Sequence, residues 1–450
     1  MFTPMPPMRT GVSHYASMLI PALRKHVDLD VISSPQQRKT NNDQRIYQLG
    51  NNPHHQWIYK EAMEQPGVIV LHDIVLHHLI VEMTLARGDV DGYVAALQAN
   101  HGEVGAAWAR GRAAGLHSEM GNFLLPASID VANRSRAVIV HNHYAADRLR
   151  SFGVRTPIHI VPHPYVPQHL MKGGRDHVIG FFGFLTSAKR AEIVLQAFRE
   201  ARSARRDIRL LIVGEPAPNI DTSAFASDGI VFTGYVSDEE FTNFFAEVDR
   251  IVNLRYPSAG ETSGTLIRAF DAGKPVAVSD YAQFAELPDD CVTKIPLGDG
   301  EVAALTRFFT AELPDPSVAQ RRWLEENARI ELTVEGYLKA LNDSALGTGH
   351  PALSGSIPLF PKLEASSTKV NMLTIRNAGD TILRARSYGE PGYRLIANGH
   401  WLQLPCDLAP GESADVELPR DLRGTTVTLL HAMQGIPMLE PEAWARVKVQ

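Results

Sequence analysis

Tyr256-Pro257-Ser258-Ala259-Gly260-Glu261-Thr262-Ser263-Gly264-Thr265-Leu266-Ile267-Arg268-Ala269-Phe270, followed by Ala272-Gly273-Lys274-Pro275-Val276, is the stretch on which the reading of this chain turns. The apolar run before it, Ile251-Val252-Asn253-Leu254, reads as a strand. A loop with one carboxylate, Glu261, comes next, then small residues with free backbone N–H groups, then an apolar-periodic helix. A helix start leaves N–H groups unpaired and carries the positive end of the helix dipole, so it attracts phosphate. The carboxylate beside it accepts hydrogen bonds from hydroxyls. A diphosphate joined to a sugar fits both halves.

Working outward, short apolar runs of the same kind recur. Gly67-Val68-Ile69-Val70-Leu71 and Ala137-Val138-Ile139-Val140 lie in the first half. His177-Val178-Ile179-Gly180-Phe181-Phe182, Leu210-Leu211-Ile212-Val213, Ile230-Val231-Phe232 and Pro275-Val276-Ala277-Val278 lie in the second. Runs apolar on both faces are the mark of parallel sheets, and helical patterns separate them, as over 191–201 and 238–248. Strand alternating with helix predicts an α/β, doubly wound fold. There are two such sets, with a seam at Pro162-His163-Pro164-Tyr165-Val166-Pro167, where prolines prevent regular structure. Before the first glycine turn stands only Met1-Phe2-Thr3-Pro4, so either the first strand is very short or the true start lies upstream. Residues 80–126, with Arg110 and Arg112, read as a helical insertion that either shapes a pocket mouth or simply covers the sheet.

From 344 to 356 the chain is rich in Gly, Ser and Pro, the composition of a linker. Short strands follow, at Val370-Asn371-Met372-Leu373-Thr374-Ile375, Tyr393-Arg394-Leu395-Ile396, Ala414-Asp415-Val416-Glu417-Leu418 and Thr425-Thr426-Val427-Thr428-Leu429-Leu430, with turn residues between them. They predict a small antiparallel all-β sandwich. Trp401 and Tyr393 there are core residues or a sugar-stacking platform, with core favoured.

Composition narrows the classes. At 450 residues the chain exceeds one core, and 44% hydrophobic with 21% charged residues is an ordinary globular balance. A net charge of −6 supplies no field for nucleic acid. Two cysteines far apart, Cys291 and Cys406, argue against a disulfide framework and suit a reducing cytoplasm. No apolar run reaches the roughly 20 residues of a membrane helix, and no signal peptide is read at the start.

Other residues carry chemistry in the same places. Thr10-Gly11-Val12 leads into a helix, where Gly11 lets backbone approach a ligand or is a plain loop glycine. His72-Asp73 follows a strand, where ligands of open α/β sheets bind. His72 there could bond a sugar hydroxyl and Asp73 could fix its ring, or His72 is a satisfied structural histidine. Gly183-Phe184-Leu185-Thr186-Ser187-Ala188-Lys189-Arg190 offers two cations to a diphosphate, Lys as a point charge and Arg as a fork. Gly214-Glu215 and Gly234-Tyr235-Val236 end two further strands and could line a nucleotide-base slot.

Taken together, these motifs resemble the retaining glycosyltransferases of family 4, over residues 1–343. The resemblance implies a GT-B fold, two facing Rossmann-like domains, here 1–165 for the acceptor and 166–330 for the nucleotide-sugar. A last helix, 333–341 within a 331–343 segment, crosses back to the first domain; the linker at 344–356 and the sandwich at 357–450 lie beyond. Catalytic roles fall to Lys189, which neutralises the leaving diphosphate, Glu261, which contacts donor hydroxyls, and His72, near the donor sugar. Donor binding falls to Gly11, Gly183, Arg190, Gly234, Tyr235, Val236 and the Thr262, Ser263, Gly264, Thr265 amides. No metal and no cofactor is expected, the nucleoside-diphosphate-sugar being the donor substrate. The acceptor is a glycan or lipid-linked molecule, in surface polysaccharide synthesis, with the enzyme cytoplasmic and peripheral contact at the inner membrane face left open. Residues 357–450 would contact polysaccharide or mediate assembly. Two departures stand out. Ala269 occupies the place of a usual second glutamate near the ribose. Phe184 replaces a usual arginine, a loss for which Arg190 could compensate. Two other readings stay open, a GT-B nucleotide-sugar epimerase and a degenerate nucleotide-sugar-binding scaffold; the presence of Lys189, Glu261 and His72 weighs against the latter.

Overall fold

The computed structural model describes residues 1–8, 10–37, 44–116, 118–167, 177–217 and 228–345, and beyond these 363–369, 372–377, 392–397, 400–404, 408, 412–418, 426–433, 436–437 and 445–448. The chain forms two compact units, one of Met1–Ile74, Val131–Ser151 and Arg155–Gly347, the other of Val75–Asp130, Phe152–Val154 and Thr348–Gln450.

The elements up to the connector are α1 (Gly11–Leu23), β1 (Ile46–Leu49), α2 (Gln56–Glu64), β2 (Val68–Leu71), α3 (His77–Met83), α4 (Val90–Ala113), α5 (Glu119–Leu124), α6 (Ile129–Arg134), β3 (Ala137–Val140), α7 (His143–Ser151) and β4 (Ile158–Ile160). After it come β5 (Val178–Phe182), α8 (Ala191–Ala204), β6 (Arg209–Val213), β7 (Ile230–Phe232), α9 (Asp238–Glu247), β8 (Arg250–Asn253), α10 (Gly264–Asp271), β9 (Val276–Ser279), β10 (Thr293–Ile295), α11 (Glu301–Thr310), α12 (Ser317–Asn327) and α13 (Ile330–Ala345).

The first unit holds two parallel sheets. One runs β1-β2-β3-β4, and Phe2 bridges both Tyr47 and Ile32 in parallel. The first strand is therefore a single bridged position. Every residue of β1, β2 and β3 is buried, and β2 and β3 are the continuous apolar runs that strands covered on both faces require. The second sheet runs β10-β9-β8-β5-β6-β7, all parallel. Successive side chains of β5 point to opposite faces. Ile179 and Phe181 join the core with α8 and α11; Val178 and Phe182 join the core with α9, α10 and α12.

This strand order decides where a ligand can sit. The chain leaves β5 for β6 on one side, while β8 lies on the other. Loops after β5 and β8 therefore part at the strands' carboxyl ends, which opens the crevice that such sheets use for ligands. The Lys189 loop follows β5 and the Glu261 loop follows β8, so the two predicted motifs flank this point.

The two parallel sheets of this unit, each with its helices, are joined through the proline-rich seam. At the seam Tyr165 bridges Arg329, its N–H donating to Ala328 O at 2.7 Å. Helix α13 places Val334, Tyr337, Ala340 and Leu341 in one core with Tyr15, Leu19, Val68 and Ile139. It starts three residues before the expected 333 and reaches Ala345, so the linker begins later than 344; 346–356 lies outside the described residues.

In the second unit, α3, α4 and α5 form the helical insertion, starting at His77 rather than 80. Arg112 does not stand free there. It donates to Asn122 Oδ1 at 2.5 Å and lies 6.0 Å over the Tyr93 ring. The C-terminal strands are β11 (Leu363–Lys369), β12 (Met372–Asn377), β13 (Gly392–Ala397), β14 (His400–Gln403), β15 (Ser413–Glu417), β16 (Thr426–Met433), β17 (Ile436–Pro437) and β18 (Ala445–Lys448). They form two antiparallel sheets, β11-β12-β15 and β14-β13-β16-β17, with β18 also on β16. Leu373, Ile375 and Val416 of one sheet share an apolar cluster with Leu395, Val427 and Leu429 of the other. The side chains of Tyr393 and Trp401 lie outside those described.

Candidate functional site

A cleft of about 830 Å³ lies between the two domains of the first unit. Of the predicted residues it is lined by Gly11, His72, Gly183, Tyr235, Val236, Glu261, Thr262, Gly264 and Thr265. Lys189, Arg190, Gly234 and Ser263 are not on its wall.

The Glu261 loop is fixed at each step. Arg255 N–H donates to Ser279 Oγ at 2.9 Å, and Tyr256 N–H to Ala188 O at 2.8 Å. Ser258 Oγ donates to Gln283 Oε1 at 2.7 Å and accepts from Gly260 N–H at 3.0 Å; Gln283 Nε2 donates to Glu261 O at 2.8 Å. Gly260 has φ +74, and a Cβ there would stand 3.0 Å from Ile74 Cγ1 and 3.3 Å from Ala145 Cβ. Only glycine lets the loop lie so close against the first domain, where Ile74 N–H donates to Ala259 O and Asn142 Nδ2 to Gly260 O. Ser263 then caps α10, its Oγ accepting from Leu266 N–H at 3.3 Å while Asn253 Nδ2 donates to it at 3.0 Å. Ser263 is thus a cap turned to the core, while Thr262, Gly264 and Thr265 face the cleft.

Glu261 is held by a residue that sequence reasoning passed over. Arg255 Nε donates to its Oε1 at 2.8 Å, and Ala259 N–H donates to its Oε2 at 3.0 Å. Arg255 was the unread cation of the motif, directly after the strand, on the side of the loop opposite the small residues.

Lys189 sits behind Gly183. Gly183 has φ +90, and a Cβ there would fall 2.5 Å from Lys189 Nζ and 3.7 Å from Thr265 Oγ1. The missing side chain is what lets the ammonium approach the start of α10. Lys189 is 7% exposed and donates to Phe182 O at 2.7 Å. Burial, and then the Arg255 charge, push its proton affinity well down, with Glu261 pulling back. An anion arriving at α10 would offset that cost and favour the charged form of Lys189.

Arg190 differs from expectation. It takes a left-handed backbone, φ +59, and turns to Glu301, a buried carboxylate, with Nε donating to Oε1 at 2.9 Å and NH2 to Oε2. Its guanidinium also lies 5.6 Å over the Tyr256 ring. The fork is spent on a partner 111 residues away, so it neither meets the cleft nor makes up for Phe184, which lines the cleft 53% exposed. Gly234 also serves the backbone, accepting from Gly214 N–H at 3.1 Å. Gly11 opens α1 beside the Thr10 cap, with open space at its Cβ position. The close approach expected of it is not a packing necessity.

His72 and Asp73 both line the cleft but do not pair. His72 Nε2 meets the side-chain amide of Gln48 at the atom placed as Oε1, 2.6 Å away, and its Nδ1 meets His141 Nε2 at 3.2 Å. Gln48 and His141, not Asp73, orient the ring. Asp73 accepts from Asn51 N–H at 2.8 Å, and burial followed by the Glu261 charge pushes its carboxyl up to about 7. His163, in the Pro-rich seam, also lines the cleft.

Ala269 is fully buried under α10, while Arg268 and Asp271 of the same helix face the cleft. Arg268 pairs with Asp238 at 2.7 Å, stacks 5.1 Å over Phe241, and lies 3.4 Å from His14 of the first domain. Among the described residues no group of three or more His, Cys, Asp or Glu side chains could hold a metal ion, and no helix is long and apolar enough to cross a membrane.

Comparison with known proteins gives the following. No curated protein sequence matches the chain. Among solved structures, the pneumococcal O-GlcNAc transferase GtfA in complex with UDP and GlcNAc is similar at 14% identity, over 64% of this chain and 55% of that one, with a TM-score of 0.45. Anabaena HepE in complex with UDP and glucose is similar at 14% identity, over 66% of this chain and 98% of that one, with a TM-score of 0.43. The chain thus spans little more than half the length of GtfA. Residues 176–310, from the start of the second sheet through α11, match the family model described as glycosyl transferases group 1. Over those residues the chain is similar to glycosyl transferases group 1.

Proposed function

We propose that the cleft binds a nucleoside-diphosphate-sugar and transfers its sugar, with retention, to a glycan or lipid-linked acceptor. The observation that carries this reading is the start of α10. Its amides and a fixed carboxylate line one wall of the cleft, with the Lys189 amine buried behind Gly183 of that wall, inside the segment that matches glycosyl transferases. The amides of Gly264 and Thr265 take the diphosphate, Lys189 stabilises the charge that develops on it, and Glu261 accepts from donor-sugar hydroxyls. The bond from the anomeric carbon to the diphosphate oxygen breaks and the acceptor oxygen attacks from the same face. The acceptor's proton passes to the departing phosphate oxygen. The cations and helix dipole do the work of charge stabilisation, and no metal is required. Surface polysaccharide assembly at the cytoplasmic side of the membrane is the setting that suits this chemistry, with the C-terminal strands as an acceptor or assembly module.

Thermal stabilisation by UDP, GDP, ADP, CDP and dTDP, each without metal, tests the reading. A ligand at about 100 times its Kd stabilises by roughly 2.7 kcal/mol, so one nucleotide should stand out. A folded protein that none of them stabilises would refute donor binding in this cleft.

A further inference from the structure

The first domain's wall of the cleft rests on a cluster of rings. Tyr15 stands edge-on to His72 and His163, with centroids 4.6 and 5.1 Å apart, and His141 lies 5.0 Å from His72. Gln48, on β1, is fully buried behind them. The hydrogen bonds of this cluster have a determinable direction.

A carbonyl oxygen only accepts, so His141 Nδ1, 2.8 Å from Val161 O, carries a proton. Neutral His141 then has its lone pair at Nε2, and His72 Nδ1, 3.2 Å away, is the donor. Neutral His72 in turn has its lone pair at Nε2, facing the Gln48 amide at 2.6 Å. An amide oxygen on that side needs an extra proton on the histidine pair. The surroundings oppose one. Burial, then repulsion from His141, His55 and His163, push the His72 proton affinity well down, and burial holds His141 near 4. Of the nearby carboxyls, Asp73 is itself pushed up to about 7 and bonds Asn51, while Glu261 is engaged by Arg255.

The two ends of an amide are told apart by the bonds they make. Turning Gln48 over puts its NH2 on His72 Nε2 and its oxygen on Tyr337 Oη, 3.0 Å away, and gives up a 3.7 Å contact with Met1 Sδ. Tyr337 then donates to Gln48, and Tyr15 donates to Tyr337 across 2.9 Å. Every group is satisfied in one order, from Tyr15 through Tyr337, Gln48, His72 and His141 to the Val161 carbonyl.

We propose that Gln48 and His141 are positioning residues that hold His72 neutral, as its Nδ1–H tautomer, with both ring nitrogens engaged. His72 therefore meets a ligand with its ring edge, and serves as neither acid, base nor cation. This deepens the reading of the cleft as a sugar-transfer site, and only its turnover arm rests on that reading.

The test is NMR of the full chain labelled with 15N-histidine, without ligand. His72 and His141 should both show protonated Nδ1 and bare Nε2, unchanged from pH 6 to 8. In Gln48→Glu the carboxylate only accepts, so His72 should gain a proton at Nε2 and titrate within that range. Gln48→Leu should lower kcat about two- to tenfold, the size of one neutral hydrogen bond, with KM for the donor little changed, and Gln48→Glu should add an inflection to the kcat–pH profile. A proton on His72 Nε2 in the wild type, or a mixture of tautomers, overturns the inference, and so does Gln48→Glu with His72 unshifted. If a variant fails to fold, the wild-type tautomers decide alone. Absence of nucleotide binding would instead strike the proposed function, and the tautomer order would stand.

Discussion

Arg255→Met asks whether the Glu261 carboxylate is organised before any ligand arrives. Arg255 Nε bonds Glu261 Oε1 at 2.8 Å and its NH1 bonds Leu254 O at 3.0 Å, with the two side chains 12% and 25% exposed. Methionine keeps most of the stem and removes the charge. Glu261 would keep only the Ala259 N–H at 3.0 Å, the Ser258 hydroxyl proton being given to Gln283, and its charge would face Asp73 without the guanidinium in the balance. Breaking a fully buried pair costs about 3–5 kcal/mol, and exposed pairs contribute about 0–1. A partly exposed carboxylate that keeps one backbone donor falls between, at about 1–3 kcal/mol. For a domain of this size each kcal/mol moves Tm by roughly 2–4 °C, so thermal unfolding should show a fall of about 2–12 °C. The same substitution in a Glu261→Gln background should cost much less, because the charge it strands is already gone. Equal losses in both backgrounds would refute the claim that Arg255 acts by holding Glu261.

Further outcomes follow from the same geometry. Arg190→Ala strands the Glu301 carboxylate, 1% exposed, and should cost about 3–5 kcal/mol in denaturant unfolding while nucleotide affinity of the folded protein holds; a loss below about 1 kcal/mol would contradict the pairing. Gly214→Ala, at φ +144 with a Cβ 2.3 Å from Gly183 O, must part the loops after β5 and β6 and should lose at least about 1–3 kcal/mol, whereas Gly11→Ala meets nothing within 4 Å and should gain or lose less than about 1 kcal/mol. Asp73 has a folded pKa near 7, above the ordinary 3.8, so the folded state binds the extra proton between these values. The stability this contributes is full below about pH 4 and lost as pH rises through 7, by up to about 4 kcal/mol. Asp73→Asn should flatten that slope in Tm measured from pH 4 to 8, and a slope unchanged by the substitution would contradict it.

Much of the scaffold could be read from apolar runs, because strands buried on both faces leave no other pattern. Three strands of the two parallel sheets escaped for the same reason in reverse. β1 carries Gln48, β4 carries His159 and β10 carries Lys294, so none reads as a continuous apolar run. The Glu261 loop and the capped start of α10 were legible because their chemistry is local. Partners were not. Arg190 and Glu301, or His72, Gln48 and His141, meet only once the sheets are assembled, and His163 was hidden among prolines that read only as a connector. Residue type alone could not say that Arg190 would turn to the core and Lys189 to the start of α10.

The most direct test of the account is sugar transfer itself, measured in chelator with nucleoside-diphosphate-sugars, with the anomeric configuration of the product read by NMR. The account predicts release of one nucleoside diphosphate per sugar transferred, a retained configuration, and loss of transfer in folded Lys189→Ala and Glu261→Ala proteins. Transfer undiminished in both variants would contradict it, because the start of α10 would then not be where the reaction takes place.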